Sequence, residues 1–176
     1  MSKNVIAWSI GLILTLALII LVTNIIESKS QEAVTVVFPE SNSSIEPYLK
    51  RIHEYEQDGR YQEAIIVARK AIEFFPEDDR GYSKLKHLYI LTGRYTDALE
   101  VNEKLIEMSK ATEYLSLCGY LKVHAALFEY VGRQGDAIDF LEQYRKECPK
   151  TVGRIVTGLK QAMSKGEEYF APPPRP

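Results

Sequence analysis

Between Val5 and Ile26 the chain carries no charge over 22 residues, whereas beyond Ile45 apolar positions return every three or four residues, in blocks broken by polar, glycine-containing turns. The first pattern has the length of a bilayer crossing, because a helix over it would reach about 33 Å. The second has the period of helices that bury one face.

The first such helix is predicted from about Ile45 to Gln57, with Tyr48, Ile52 and Tyr55 on one stripe. Ser44 is placed to cap it, and Pro47 falls in its first turn, where a proline is tolerated. Its partner is predicted from Gln62 to Phe75, with Ala64, Ala68, Ala71 and Ile72 inward and Pro76 as the stop. A second pair sets Tyr82, Leu85 and Tyr89 against Ala98, Asn102 and Leu105, and closes near Lys110 without a proline. The third pair begins with a longer helix, about Thr112 to Val131, which absorbs five extra residues, and finishes at Pro149. A last helix, Thr151 to Lys165, carries Val152, Ile155, Val156, Leu159 and Met163 on one stripe and Arg154, Lys160 and Lys165 opposite, the form of a helix that seals a stack from water.

The turns repeat. Gly59-Arg60-Tyr61-Gln62-Glu63-Ala64-Ile65 returns 34 residues later as Gly93-Arg94-Tyr95-Thr96-Asp97-Ala98-Leu99, and 39 after that as Gly132-Arg133-Gln134-Gly135-Asp136-Ala137-Ile138, so five residues are inserted before the third copy. Self-similarity at this period signals stacked helix pairs.

This pattern resembles the tetratricopeptide repeat family over about Ile45 to Pro149. The first copy matches through Tyr48, Tyr55, Gly59, Tyr61, Ala64, Ala68, Ala71 and Pro76, and the second through Tyr82, Leu85, Tyr89, Gly93, Tyr95 and Ala98. The third departs from it, with Gln134 where an aromatic is usual and His124 where leucine is preferred. The resemblance implies a right-handed superhelix whose concave groove is built by the first helix of each pair and binds peptides or proteins. Transferred to this sequence, the groove candidates are Leu49, His53, Glu56, Ser83, His87, Ile90, Lys122 and Glu129. With Leu49, His53, Ser83 and His87 there, a basic clamp for a terminal carboxylate is not expected. With its apolar leader, the chain is similar to membrane-tethered members that assist assembly of envelope complexes, a step of analogy.

The expected organisation is all-α. A stub (1–4) precedes a single transmembrane helix (5–26) and an extended linker (27–44). An α-solenoid (45–165) follows, with three hairpins at about 45–76, 79–110 and 112–149 and a capping helix at 151–165, and then a proline-rich tail (166–176). A cleaved secretory signal is the alternative reading of the apolar run, which is long for a signal core and lacks an Ala-x-Ala site. Trp8 suits the interface, and Ser9, Gly11, Thr15 and Thr23 are small or hydroxylic. Lys3 and the α-amine, against Lys29 flanked by Glu27 and Glu32, tilt the amino terminus toward the cytoplasm and the repeats outside it, in the periplasm if the source is bacterial. In the linker, the strand-like stretch Val34 to Phe38 has no partner strand and is expected to lie along its own domain, with addition to another protein as the alternative. Asn42-Ser43-Ser44 fits a glycosylation acceptor.

Cys118 and Cys148 stand fifteen residues either side of Arg133, so a hairpin centred there brings them to one height. A disulfide between them would indicate an oxidising compartment; two buried thiols are the alternative.

Composition narrows function. Twenty-two basic and 24 acidic residues leave a net charge of -2 and no basic stripe, which sets nucleic acid aside. His53 and His87, 34 residues apart, fall on successive first helices, but no third ligand accompanies them, so no metal or other cofactor is expected. No nucleophile with a base and no phosphate-binding glycine loop is present, so an enzyme and a small-molecule substrate are not expected either. The tail, Glu167 to Pro176, should extend as polyproline II past Ala171 and offers Tyr169, Phe170, Pro172, Pro173 and Pro174 as contacts, or lies in solvent. The sequence therefore suggests a non-catalytic interaction scaffold, an accessory or assembly subunit of a membrane complex, with a receptor for a mobile client protein as the alternative.

Overall fold

The computed structural model describes residues 36–38, 43–112 and 114–172, apart from the side chains of residues 111–115, and all of them belong to one compact unit. The apolar run 5–26, Asn42, Pro173 and Pro174 lie outside the described residues. Among the described residues no helix is long and apolar enough to cross a membrane.

Seven helices and no strand are found among those residues: α1 Glu46–Gln57, α2 Tyr61–Phe74, α3 Asp79–Leu91, α4 Tyr95–Thr112, α5 Tyr114–Tyr130, α6 Gln134–Glu142 and α7 Pro149–Lys165. Each packs on the next, α1 also touches α3, and α5 also touches α7. Fully buried alanines at 64, 68 and 71 let α2 lie close to its neighbours, while Tyr48, Ile52, Leu88, Leu105 and Leu121 fill the space between helices.

Every pair turns on the same corner. Gly59, Gly93 and Gly132 adopt φ of 70°, 72° and 75°, a left-handed backbone that glycine enters without a Cβ penalty. The arginine after each glycine donates its N–H, at 2.8 Å, to the carbonyl of Tyr55, Tyr89 or Phe128. Its guanidinium then lies over that same ring, at 4.6, 4.5 and 5.0 Å from the centroid. Its Nε reaches the acid three residues on, Glu63, Asp97 or Asp136, at 2.8, 2.6 and 2.5 Å. The recurring Gly-Arg-x-x-acid motif is thus a local clasp between the end of one helix and the start of the next.

Four expectations are corrected. Ser44 does not cap α1: the N-cap is Ile45, with no side-chain cap bond. Ile45 is instead buried in the core, its Cδ1 beside Gly81 of α3, so apolar packing fixes the helix start. The inserted residues do not all enter the first helix of the third pair. They are shared, α4 having 18 residues against 14 in α2 and α5 17 against 13 in α3, which leaves only residue 113 between α4 and α5. Pro149 does not close the third pair, because α6 stops at Glu142 and Pro149 opens α7, where its missing N–H has no helical partner to lose. Met163 is 49% exposed, and Ala162 takes its place on the buried stripe of α7.

Cys118 and Cys148 are joined by a disulfide with Cα atoms 5.7 Å apart. Because α6 is short, Cys148 is not on a helix facing α5 but at the N-cap of α7, so the bond ties α5 to the last helix. In the linker, Val36 packs on the core and the Val37 N–H donates to the Tyr55 hydroxyl at 2.9 Å.

Candidate functional site

The sequence candidates lie along the first helices, α1, α3 and α5. At the α1–α3 end, Lys84 donates to Glu56 Oε2 at 2.9 Å, and Arg80 pairs with Glu46 at 2.5 Å, joining equivalent places on successive helices. Glu56 Oε1 is buried with no hydrogen-bond partner. His53 is exposed, its Nε2 lying 2.9 Å from Gln57 Nε2 and its Nδ1 3.9 Å from Glu56. His87 is exposed, and Leu49 and Ser83 are half-buried. Among the described residues no group of three or more His, Cys, Asp or Glu side chains is arranged to hold a metal.

At the α5 end the face is not empty. After α7, Gly166 turns the chain at φ 70°, and the Glu167 N–H returns to the Ala162 carbonyl at 2.9 Å, a glycine-capped helix end. The tail then runs back over α5. Glu129, 6% exposed, accepts the backbone N–H of Tyr169 on Oε1 at 2.8 Å and that of Phe170 on Oε2 at 2.5 Å. Tyr130 Oη donates to the Ala171 carbonyl at 2.9 Å. Tyr169 and Phe170 are half-buried, whereas Pro172 is exposed. A cavity of about 350 Å³ beside them is lined by Ile90, Lys122, Val123, Ala126, Leu127 and Tyr130. Of the eight groove candidates, Ile90, Lys122 and Glu129 therefore gather around the tail, and Leu49, His53, Glu56, Ser83 and His87 stand apart from it.

Two further groups were not singled out as sites by sequence. Lys86 is half-buried with its amine 4.7 Å from the Tyr120 ring, and burial pulls its pKa down to about 8 against the opposing charge of Asp79. The Tyr120 hydroxyl, 3.4 Å from Asp79, is raised above the usual phenol range chiefly by burial. His124 is fully buried between Phe128 and Phe140, with ring centroids 4.8 and 4.3 Å away, and burial lowers its pKa to about 4. The signal for His124 was its departure from leucine at a core position opposite Asn102.

Stacked helix pairs with this corner define a tetratricopeptide-like, all-helical fold. Among solved structures the chain is similar to the N-terminal domain of stress-induced protein-1 (STI-1) from C. elegans, with a TM-score of 0.56, 16% identity, and coverage of 68% of this chain and 99% of that one. At that identity the likeness is one of fold. No protein-family model matches the sequence, and no curated protein matches it significantly.

Proposed function

We propose that this chain is a non-catalytic, membrane-tethered protein–protein interaction module, an accessory or assembly subunit of a membrane complex. The observation that carries the reading is the first-helix face of a tetratricopeptide-like stack, where His53, His87 and Lys122 reach solvent beside the half-buried Leu49 and Ile90. A face of that mixed character suits protein partners. The uncharged run of residues 5–26 supports the tether, which raises local concentration without demanding tight contacts. The Cys118–Cys148 bond supports an extracytoplasmic position for the repeats, because such bonds persist in oxidising compartments.

The test is purification of the full chain in mild detergent with mass spectrometry of what accompanies it. The expected result is one or more proteins in fixed stoichiometry, lost when His53→Glu and His87→Glu are combined and helicity is unchanged. A chain that purifies alone overturns the proposal. A receptor for a mobile client is the second reading, favoured by the occupied α5 end of the face; it would give substoichiometric, exchangeable partners instead.

A further inference from the structure

We infer that the tail is an internal ligand of the α5 end of this face, and that an external peptide reaches Glu129 only by displacing it. The inference rests on the reading of the first-helix face as a partner-binding surface.

The contacts have the character of peptide recognition. Three hydrogen bonds hold the segment 169–171, and all three are made to its backbone: two amides to the Glu129 carboxylate and one carbonyl to the Tyr130 hydroxyl. Phe170 adds a side-chain contact, half-buried against the core and lining the cavity together with Ile90, Val123, Ala126 and Leu127. A carboxylate only 6% exposed requires donors, and two successive amides at the bend of residues 169 and 170 turn to the same side and supply them. The same charge rejects a terminal carboxylate. The external occupant that fits is therefore an internal segment that bends at an aromatic pair, the chemistry of Tyr169-Phe170 itself.

Gly158 shows that the tail position is built into α7. A Cβ placed there would lie 2.1 Å from Cε2 of Tyr169, so only glycine lets the ring rest on the helix. Glycine is a poor helix former, and alanine at an interior helical position favours the helix. Gly158→Ala is thus a substitution that forces the Tyr169 ring off α7 without removing any contact from the repeats.

The experiment uses the full chain in detergent and follows amide exchange at Tyr169 and Phe170 by nuclear magnetic resonance. In the native chain these amides should exchange about 100-fold more slowly than in the free peptide Gly-Glu-Glu-Tyr-Phe-Ala-Pro-Pro-Pro-Arg-Pro. In Glu129→Gln they should approach the peptide's rate, and in Gly158→Ala the Tyr169 amide should exchange faster than in the native chain, while helicity is kept in both. The same peptide, fluorescently labelled, should bind a chain carrying Tyr169→Ser and Phe170→Ser about tenfold more tightly than the native chain, whose tail competes at high effective concentration. Adding Glu129→Gln should abolish that gain.

Native amides that exchange at the free rate, or equal peptide affinity for native and variant chains, would overturn the inference. So would protection that grows with protein concentration, which would mean that tails are exchanged between copies. The exchange measurement needs no partner. Protected amides in a chain that purifies alone would therefore sink only the proposed function, and unprotected amides in a chain that brings partners would sink only the internal ligand.

Discussion

Asn102 and His124 meet with no solvent contact where α4 packs on α5, Asn102 Nδ2 lying 3.3 Å from His124 Nδ1. Asn102 Nδ2 also donates to the Tyr120 carbonyl at 3.0 Å, so His124 Nδ1 is assigned as the acceptor and its proton to Nε2. Nε2 has no hydrogen-bond partner, and the nearest charge to it is Glu103 Oε1 at 3.8 Å.

This pair predicts acid sensitivity. A histidine held near pKa 4 in the fold favours the neutral ring, so its contribution is complete above its unfolded pKa of about 6.5 and is lost as pH falls through 4. Over that window denaturant unfolding should lose about 3 kcal/mol, less whatever the exposed Glu103 offsets. His124→Leu should flatten this part of the profile; an equally steep profile in that variant would remove His124 as the cause.

Tyr89 links the first two pairs. Its ring lies under Arg94, and its hydroxyl accepts from Arg69 Nη2 at 2.6 Å. Tyr89→Phe should lower stability by about 1 to 3 kcal/mol through the lost charge-assisted bond and leave the fold intact. Tyr89→Asp buries a charge and should abolish helical circular dichroism; full helicity in that variant would disprove the core assignment.

The corners were the most legible part of the sequence. Gly59, Gly93 and Gly132 mark positions where the backbone must be left-handed, and the 34-residue spacing by itself implies stacked pairs. What the period could not reveal was how the inserted residues would be divided. Whether they lengthen α4, α5 or a loop depends on which side chains find burial, and that is a tertiary matter. Pro149 was ambiguous for the same reason, since proline both ends helices and begins them. The contact of Glu129 with Tyr169 and Phe170 joins residues about 40 apart through backbone amides, which leave no residue-type signature.

Gly59→Ala isolates the corner's backbone requirement, because an added Cβ there meets nothing within 4 Å. The loss should be about 1 to 2 kcal/mol, all of it from left-handed strain. Gly59→Asn, which tolerates that region better, should lose less; equal losses would show that side-chain crowding and not φ governs the site.

Reduction of the disulfide should destabilise the C-terminal part of the domain. Opening a 30-residue loop restores unfolded-state entropy worth about 3 to 4 kcal/mol. Cys148→Ala should reproduce most of that effect, and exchange should rise first in α7. Identical unfolding with and without reductant would show that the bond contributes nothing.

The arginine clasp has a consequence for how the chain assembles. Each corner completes its backbone bond, ring contact and ion pair within nine residues, from Tyr55 to Glu63 in the first copy, so no distant segment must arrive before it can form. Folding then has three equivalent nuclei with little loop closure ahead of them, and two long reaches fall at the end of the chain, where Cys148 finds Cys118 and the tail finds Glu129. As the polypeptide emerges during synthesis, the first two hairpins can mature while the last helix and tail are still being made.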